Sequence, residues 1–129
     1  MTTATAIERY KKNIILSAPP GKLLLMLYDG AIKNMNTAVQ KLKENDRAGF
    51  SLHIGKGQAI ISELLSSLDM KIGGEIAKNL ENLYLFVINQ LTESNIKCTD
   101  KGIVHALHII RTLKDGWHEA IKKTSNEHA

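Results

Sequence analysis

The sequence predicts an all-α fold, an antiparallel up-down four-helix bundle with a short N-terminal helical cap segment. Three observations carry that prediction. Apolar residues recur at alternating spacings of three and four over four separate stretches, as in helices that pack on other helices. The breaks between the stretches are short, so sequential helices should run antiparallel. No segment alternates apolar and polar residues with period two, which leaves no candidate β-strand.

The leader, residues 1–18, has some helical character, with Ile7, Tyr10 and Ile14 on one side and an apolar patch at Ile14-Ile15-Leu16. Alone, so short a helix is marginal in water, so it should pack on the body as a cap or move. Pro19 and Pro20 end it, because proline cannot continue a hydrogen-bonded turn. Helix A is expected over Pro20–Lys43, with Leu24, Tyr28, Ala31, Met35, Ala38 and Leu42 as its seam. Asn45 or Asp46 then offers an N-cap.

Helix B is expected over Arg47–Leu68, with Phe50, Ile54, Gly57, Ile61, Leu64 and Leu68 on one stripe. Gly55 and Gly57 weaken it by about 1 kcal/mol each against alanine, and permit a bend or a close helix approach. The Gly73-Gly74 pair reads as the next break. Helix C should run from Gly74 or Glu75 to Ser94, with Ile76, Leu80, Leu83, Val87 and Leu91 as its seam. After a loop from Asn95 to Asp100, helix D is expected over Lys101–Lys123, with Ile103, Leu107, Ile110, Leu113, Trp117 and Ile121 on one side. Residues 124–129 read as a frayed tail.

A chain of 129 residues is one domain, residues 1–129, by length. Its apolar fraction of 43% and charged fraction of 23% are those of an ordinary globular protein. The lone cysteine, Cys98, forms no internal disulfide and fits a reducing cytosol. Met1 to Thr5 lack a charged start followed by an apolar run, so no secretory signal is expected. No apolar run approaches the ~20 residues of a membrane span. The net charge of +4 is mild and the lysines are dispersed among acids along the chain, so neither nucleic acid nor membrane insertion is expected. The expected compartment is the cytoplasm.

Enzymatic and metal-binding readings fare poorly. His105 and His108 share a helical face, and His53 and Cys98 could in principle join them, but zinc sites pair ligands at closer loop spacings. Di-iron bundles need Glu-x-x-His on two helices, a pattern this chain lacks. Gly55-x-Gly57 follows no strand and is no dinucleotide fingerprint. Nothing assembles a nucleophile, a base and an oxyanion donor. The sequence therefore predicts no enzyme, no catalytic residue, no cofactor and no metal.

The apolar surplus is more informative. A bundle helix needs about three apolar positions in seven. Leu23-Leu24-Leu25-Met26-Leu27-Tyr28 and Leu83-Tyr84-Leu85-Phe86-Val87-Ile88 are each apolar at six positions of six. Either core and leader together cover these runs, or the runs line a groove for an apolar partner segment. Both hold if a marginal leader covers the groove until a better-fitting segment displaces it.

Three blocks in this chain resemble the flagellar export chaperone family FliS. The first is Tyr10 followed by Ser17-Ala18-Pro19, Lys22-Leu23 and Met26-Leu27-Tyr28-Asp29-Gly30-Ala31. The second is Leu65, Ser67, Leu68 and Asp69 running into Gly73-Gly74-Glu75-Ile76-Ala77, Asn79-Leu80 and Leu83-Tyr84. The third is Leu113, Asp115, Trp117 and Glu119-Ala120. The blocks stand in the family's order and span Tyr10 to about Ile121.

The resemblance implies a four-helix bundle with an N-terminal cap that binds the disordered C-terminal segment of flagellin. Binding would prevent premature polymerisation and keep flagellin competent for flagellar type III secretion. Carried over by position, Ile7 and Tyr10 belong to the displaceable cap. Leu23, Leu27 and Tyr28, with Ile61, Leu65 and Leu68, and with Ile76, Leu80 and Tyr84, are core or groove. A Tyr84→Asp substitution is accordingly expected to abolish client binding by charging the groove. A co-chaperone, an anti-sigma factor or an export-gate component are further candidate partners. The alternative is a non-enzymatic helical adaptor for another flagellar regulatory protein. Gly21, Gly55, Gly57 and Gly116 depart from the pattern and predict a softer bundle.

Overall fold

The computed structural model describes residues 21–127, with side chains described as far as Lys123. Four helices follow in order: α1 (Gly21–Lys43), α2 (Arg47–Ser66), α3 (Met70–Lys97) and α4 (Lys101–Glu127). No strand occurs among the described residues. Each helix packs on two others, so the helices stand at the corners of a square with α4 closing back on α1.

Pairs across the seams fix the helix directions. Asn34 bonds His53 and Gly30 lies beside Ile60, joining α1 to α2. Ser51 bonds Asn95 and Gln58 bonds Thr92, joining α2 to α3. Ser94 meets Ile103 and Gln90 meets His105, joining α3 to α4. In each pair of seams one number rises as the other falls, so neighbours in sequence are antiparallel.

The seams read from spacing form most of the core, though Leu42, Leu68, Leu113 and Ile121 are only half-buried and Ala106 joins the core unannounced. Leu24, Tyr28, Ala31, Met35 and Ala38 are buried on α1, and Phe50, Ile54, Ile61 and Leu64 on α2. Ile103, Ala106, Leu107, Ile110 and Trp117 are buried on α4. Each large apolar side chain contributes about 1.5–3 kcal/mol by leaving water. On α3 the seam differs from expectation. It is Ala77, Leu80, Tyr84, Val87 and Leu91, while Leu83 is only half-buried. Tyr84 outcompetes Leu83 because its hydroxyl finds partners inside the bundle.

The connections also correct the expected helix limits. Asp46 caps α2 by accepting from the Gly49 N–H at 2.9 Å. That helix ends at Ser66, short of Leu68, where the Ser67 hydroxyl donates to the Leu64 carbonyl at 2.7 Å. The next helix starts at Met70, ahead of the glycine pair, because Asp69 accepts from the N–H groups of Lys71 and Ile72. The glycines therefore do not separate B from C. Gly74, at φ 52° and ψ −123°, instead kinks α3 after its first turn.

Only glycine adopts that backbone conformation readily. Gly74→Ala is expected to cost about 1–3 kcal/mol. Gly55→Ala, helical and facing open space, should stabilise by about 0.5–1 kcal/mol. Urea unfolding of the two variants should show opposite shifts in midpoint. At its other end α3 runs past Ser94 to Lys97 and closes on Cys98 in the left-handed conformation (φ 54°), its N–H bonded to the Ser94 carbonyl.

Candidate protein-binding surface

The residues singled out from sequence divide by depth. Tyr28, Ile61, Leu80 and Tyr84 lie in the closed core. Leu27, Leu65, Leu68 and Ile76 are half-buried and pack against it from the edge. Leu23 is exposed. Ile7 and Tyr10 lie outside the described residues. The four core residues present no surface to a partner while the bundle is closed.

Exposed apolar side chains supply that surface instead. Met26 is 58% exposed on α1, and Leu85 and Phe86 are 44% and 45% exposed on α3. All three belong to the two apolar runs, so the signal was in the sequence. Periodicity could not say which members point outward, because every position was apolar.

The cross-seam contacts place these residues on three faces. Leu23, Met26 and Leu27 precede Gly30 by seven, four and three residues, and Gly30 lies beside Ile60. They therefore line the α1/α2 face. Leu85 precedes Ile88 by three, and Leu65 follows Gln58 by seven, while the Gln58 amide donates to the Ile88 carbonyl at 3.1 Å. That pair belongs to the α2/α3 face. Phe86 precedes Gln90 by four and Ile109 follows His105 by four, and Gln90 bonds His105 at 3.1 Å. Those two share the α3/α4 face.

Beneath these strips sits a buried polar cluster. The Tyr28 and Tyr84 hydroxyls hydrogen-bond to each other, and the Trp117 indole N–H donates to Tyr28 at 3.0 Å. The cluster ties α1, α3 and α4 together at one level of the bundle. Burial pushes the Tyr84 hydroxyl above its ordinary value of 10.0, against the opposing pull of the Tyr28 hydroxyl and, less, of the nearby Trp117 indole. An aspartate at position 84 would meet this interior rather than a groove. Tyr84→Asp therefore tests folding and not partner contact.

Polar bonds along the seams are mostly between neutral groups. Asn34 donates to the Gly30 carbonyl at 2.9 Å and its oxygen faces Nδ1 of His53 at 3.0 Å. His53 and His105 are thus engaged with amide side chains. Among the described residues no group of three or more His, Cys, Asp or Glu could hold a metal ion. No helix among them is long and apolar enough to cross a membrane.

Comparison with known proteins agrees with the resemblance in the sequence. The family model described as flagellar protein FliS matches residues 3–124. A flagellar secretion chaperone FliS of Vibrio cholerae is 33% identical, over 88% of this chain and 87% of the relative. Its counterpart in Bacillus subtilis is 31% identical, over 88% of this chain and 84% of the relative. That of Salmonella typhimurium is 30% identical, over 97% of this chain and 96% of the relative.

Proposed function

The chain belongs to the FliS family of flagellar secretion chaperones, which are not enzymes, and on that premise we propose that it binds the C-terminal segment of flagellin in the cytoplasm. Holding that segment prevents premature polymerisation and keeps flagellin competent for flagellar type III secretion. The observation that carries this reading is the exposure of Leu23, Met26, Leu85 and Phe86 over a core that is already closed.

A soluble bundle gains nothing from presenting such side chains to water, whereas an amphipathic client segment can cover them. The strips lie on three consecutive faces, so one segment reaches all of them only by wrapping. A disordered client suits that geometry, since it orders on the surface and spends part of the interaction energy in doing so. In this reading Ile7 and Tyr10 belong to the cap that the client displaces.

Calorimetric titration with a peptide from the last ~40 residues of a flagellin, with circular dichroism of the mixture, tests the reading. One-to-one binding with gain of helix supports it. The double variants Leu23→Asp with Met26→Asp, and Leu85→Asp with Phe86→Asp, should each weaken binding about tenfold or more. Neither pair is buried, so both variants should keep the parent helical signal and unfolding midpoint. No binding by the parent protein at tens of micromolar would refute the flagellin assignment and move the function to an adaptor for another flagellar protein.

A further inference from the structure

The fourth face of the bundle, between α1 and α4, differs from the other three. Lys114 pairs with Asp29 across this seam, which fixes which side of each helix lines the face. On α4 the residues Val104, His108, Arg111, Asp115, His118 and Lys122 recur at spacings of four and three, and all are exposed. On α1, Lys22, Lys33 and Lys43 lie seven before, four after and fourteen after Asp29, and are exposed as well.

The lysines are dispersed among acids along the chain, but folding gathers a set of cations here. Lys22, Lys33, Lys43, Arg111, Lys114 and Lys122 share the face with Asp29 and Asp115, and Glu119, four after Asp115, lies at its outer edge. Over the remaining residues up to Lys123, acids equal Lys and Arg in number, eight of each. Elsewhere several lysines are paired: Lys41 with Glu44 and Asp46, Lys78 with Glu81, and Lys97 with Glu93. Of the six cations on the α1/α4 face only Lys114 has a carboxylate within salt-bridge distance among the described residues. Concentrating like charges costs the free protein self-repulsion, which an incoming anion relieves.

We propose that the α1/α4 face docks an acidic segment of a partner protein, held by Lys22, Lys33, Lys43, Arg111 and Lys122. Asp29 and Asp115 interrupt the strip, which disfavours the uniform charge of a nucleic-acid backbone but leaves room for a peptide that carries an occasional donor. Val104, 54% exposed at one end of the stripe, offers an apolar contact that a peptide side chain can use. A lipid surface would need several such side chains to seat the helix in the headgroups, and this stripe has one. The face carries none of the side chains assigned above to flagellin, so this docking does not rest on that assignment.

The test uses the full-length protein and a dye-labelled peptide of about 20 residues, long enough to lie along the strip, in which Glu and Asp alternate with Ser and Leu. Its counterpart with Lys in place of the acids is the charge control. Fluorescence anisotropy should show binding of the acidic peptide alone, weakened about tenfold or more on raising salt from 0.05 M to about 0.3 M. Arg111→Glu with Lys122→Glu should weaken it at least about tenfold, while Lys56→Glu with Lys71→Glu, both exposed on other faces, should leave it unchanged. The neutral pair Arg111→Gln with Lys122→Gln should give an intermediate loss, and the flagellin peptide should bind all these variants as it binds the parent. Absence of binding, or equal loss in the Lys56/Lys71 variant, overturns the proposal. So does competition by a DNA duplex or by phosphatidylserine vesicles at lower concentrations than the unlabelled peptide.

Discussion

Gly102→Ala is expected to destabilise the bundle by about 3 kcal/mol, with a fall in Tm of about 10 °C. Gly102 opens α4 and is buried against α3. A Cβ added there would run into the Gln90 carbonyl and come within 2.6 Å of the Ser94 hydroxyl oxygen. Neither neighbour can give way cheaply. The carbonyl is helix backbone, and Ser94, itself buried, accepts the Ile103 N–H at 3.1 Å. That bond satisfies one of the donors that the start of α4 leaves without an intrahelical partner. Moving α4 outward to fit a methyl group therefore also breaks a buried bond. Gly116→Ala on the same helix should do the reverse, because nothing lies within 4 Å of the added carbon. It should raise stability by about 0.5–1 kcal/mol. Thermal unfolding of the two variants checks both signs, and an unchanged Tm for Gly102→Ala would mean that the helices separate at little cost.

Why Gly102 escaped the sequence while the four helices did not is a matter of which interactions are periodic. Burial imposes a repeat, so Leu24, Tyr28, Ala31, Met35 and Ala38 announce the α1 seam in their spacing. Close approach between two backbones imposes none, and a single glycine at a helix start reads as neutral. Gly57 was easier, since it occupies a seam position, and it packs on Met35, Asn34 and Ala31. Gly73-Gly74 misled because paired glycines usually end helices. The capping of α3 by Asp69 lies upstream and leaves Gly74 as a kink.

The binding surface was legible only as a surplus. Two runs of six apolar residues state that more apolar surface exists than one core face needs. They do not state that Tyr28 and Tyr84 turn inward while Met26, Leu85 and Phe86 turn out. That choice is made by partners distant in the chain, as when Trp117 meets Tyr28. The basic α1/α4 face was hidden for the same reason, since charges far apart in sequence adjoin only after α4 closes on α1.

The buried tyrosine pair offers the second large effect, because its two members are not equivalent. Tyr28 is the hub, since it accepts from Trp117 and shares a bond with Tyr84. Tyr28→Phe removes the acceptor of the Trp117 N–H and the Tyr84 hydroxyl's bond to Tyr28, at about 1–3 kcal/mol for each buried group left unsatisfied. A total loss of about 3 kcal/mol is expected. Tyr84→Phe removes one end of the chain and leaves Trp117 bonded to Tyr28, so about 1 kcal/mol is expected. Urea unfolding followed by the fluorescence of Trp117, the single tryptophan, measures both. Equal losses would mean that the hydroxyls act independently. The same pair predicts a pH dependence. Burial raises Tyr84 above its ordinary value of 10.0, so the neutral hydroxyl is favoured by folding. Its contribution is complete below the ordinary value and is lost as pH rises through the higher value of the folded state. Stability of the parent protein should therefore fall in alkali more steeply than that of Tyr84→Phe, and parallel curves for the two would place the alkaline transition on another group.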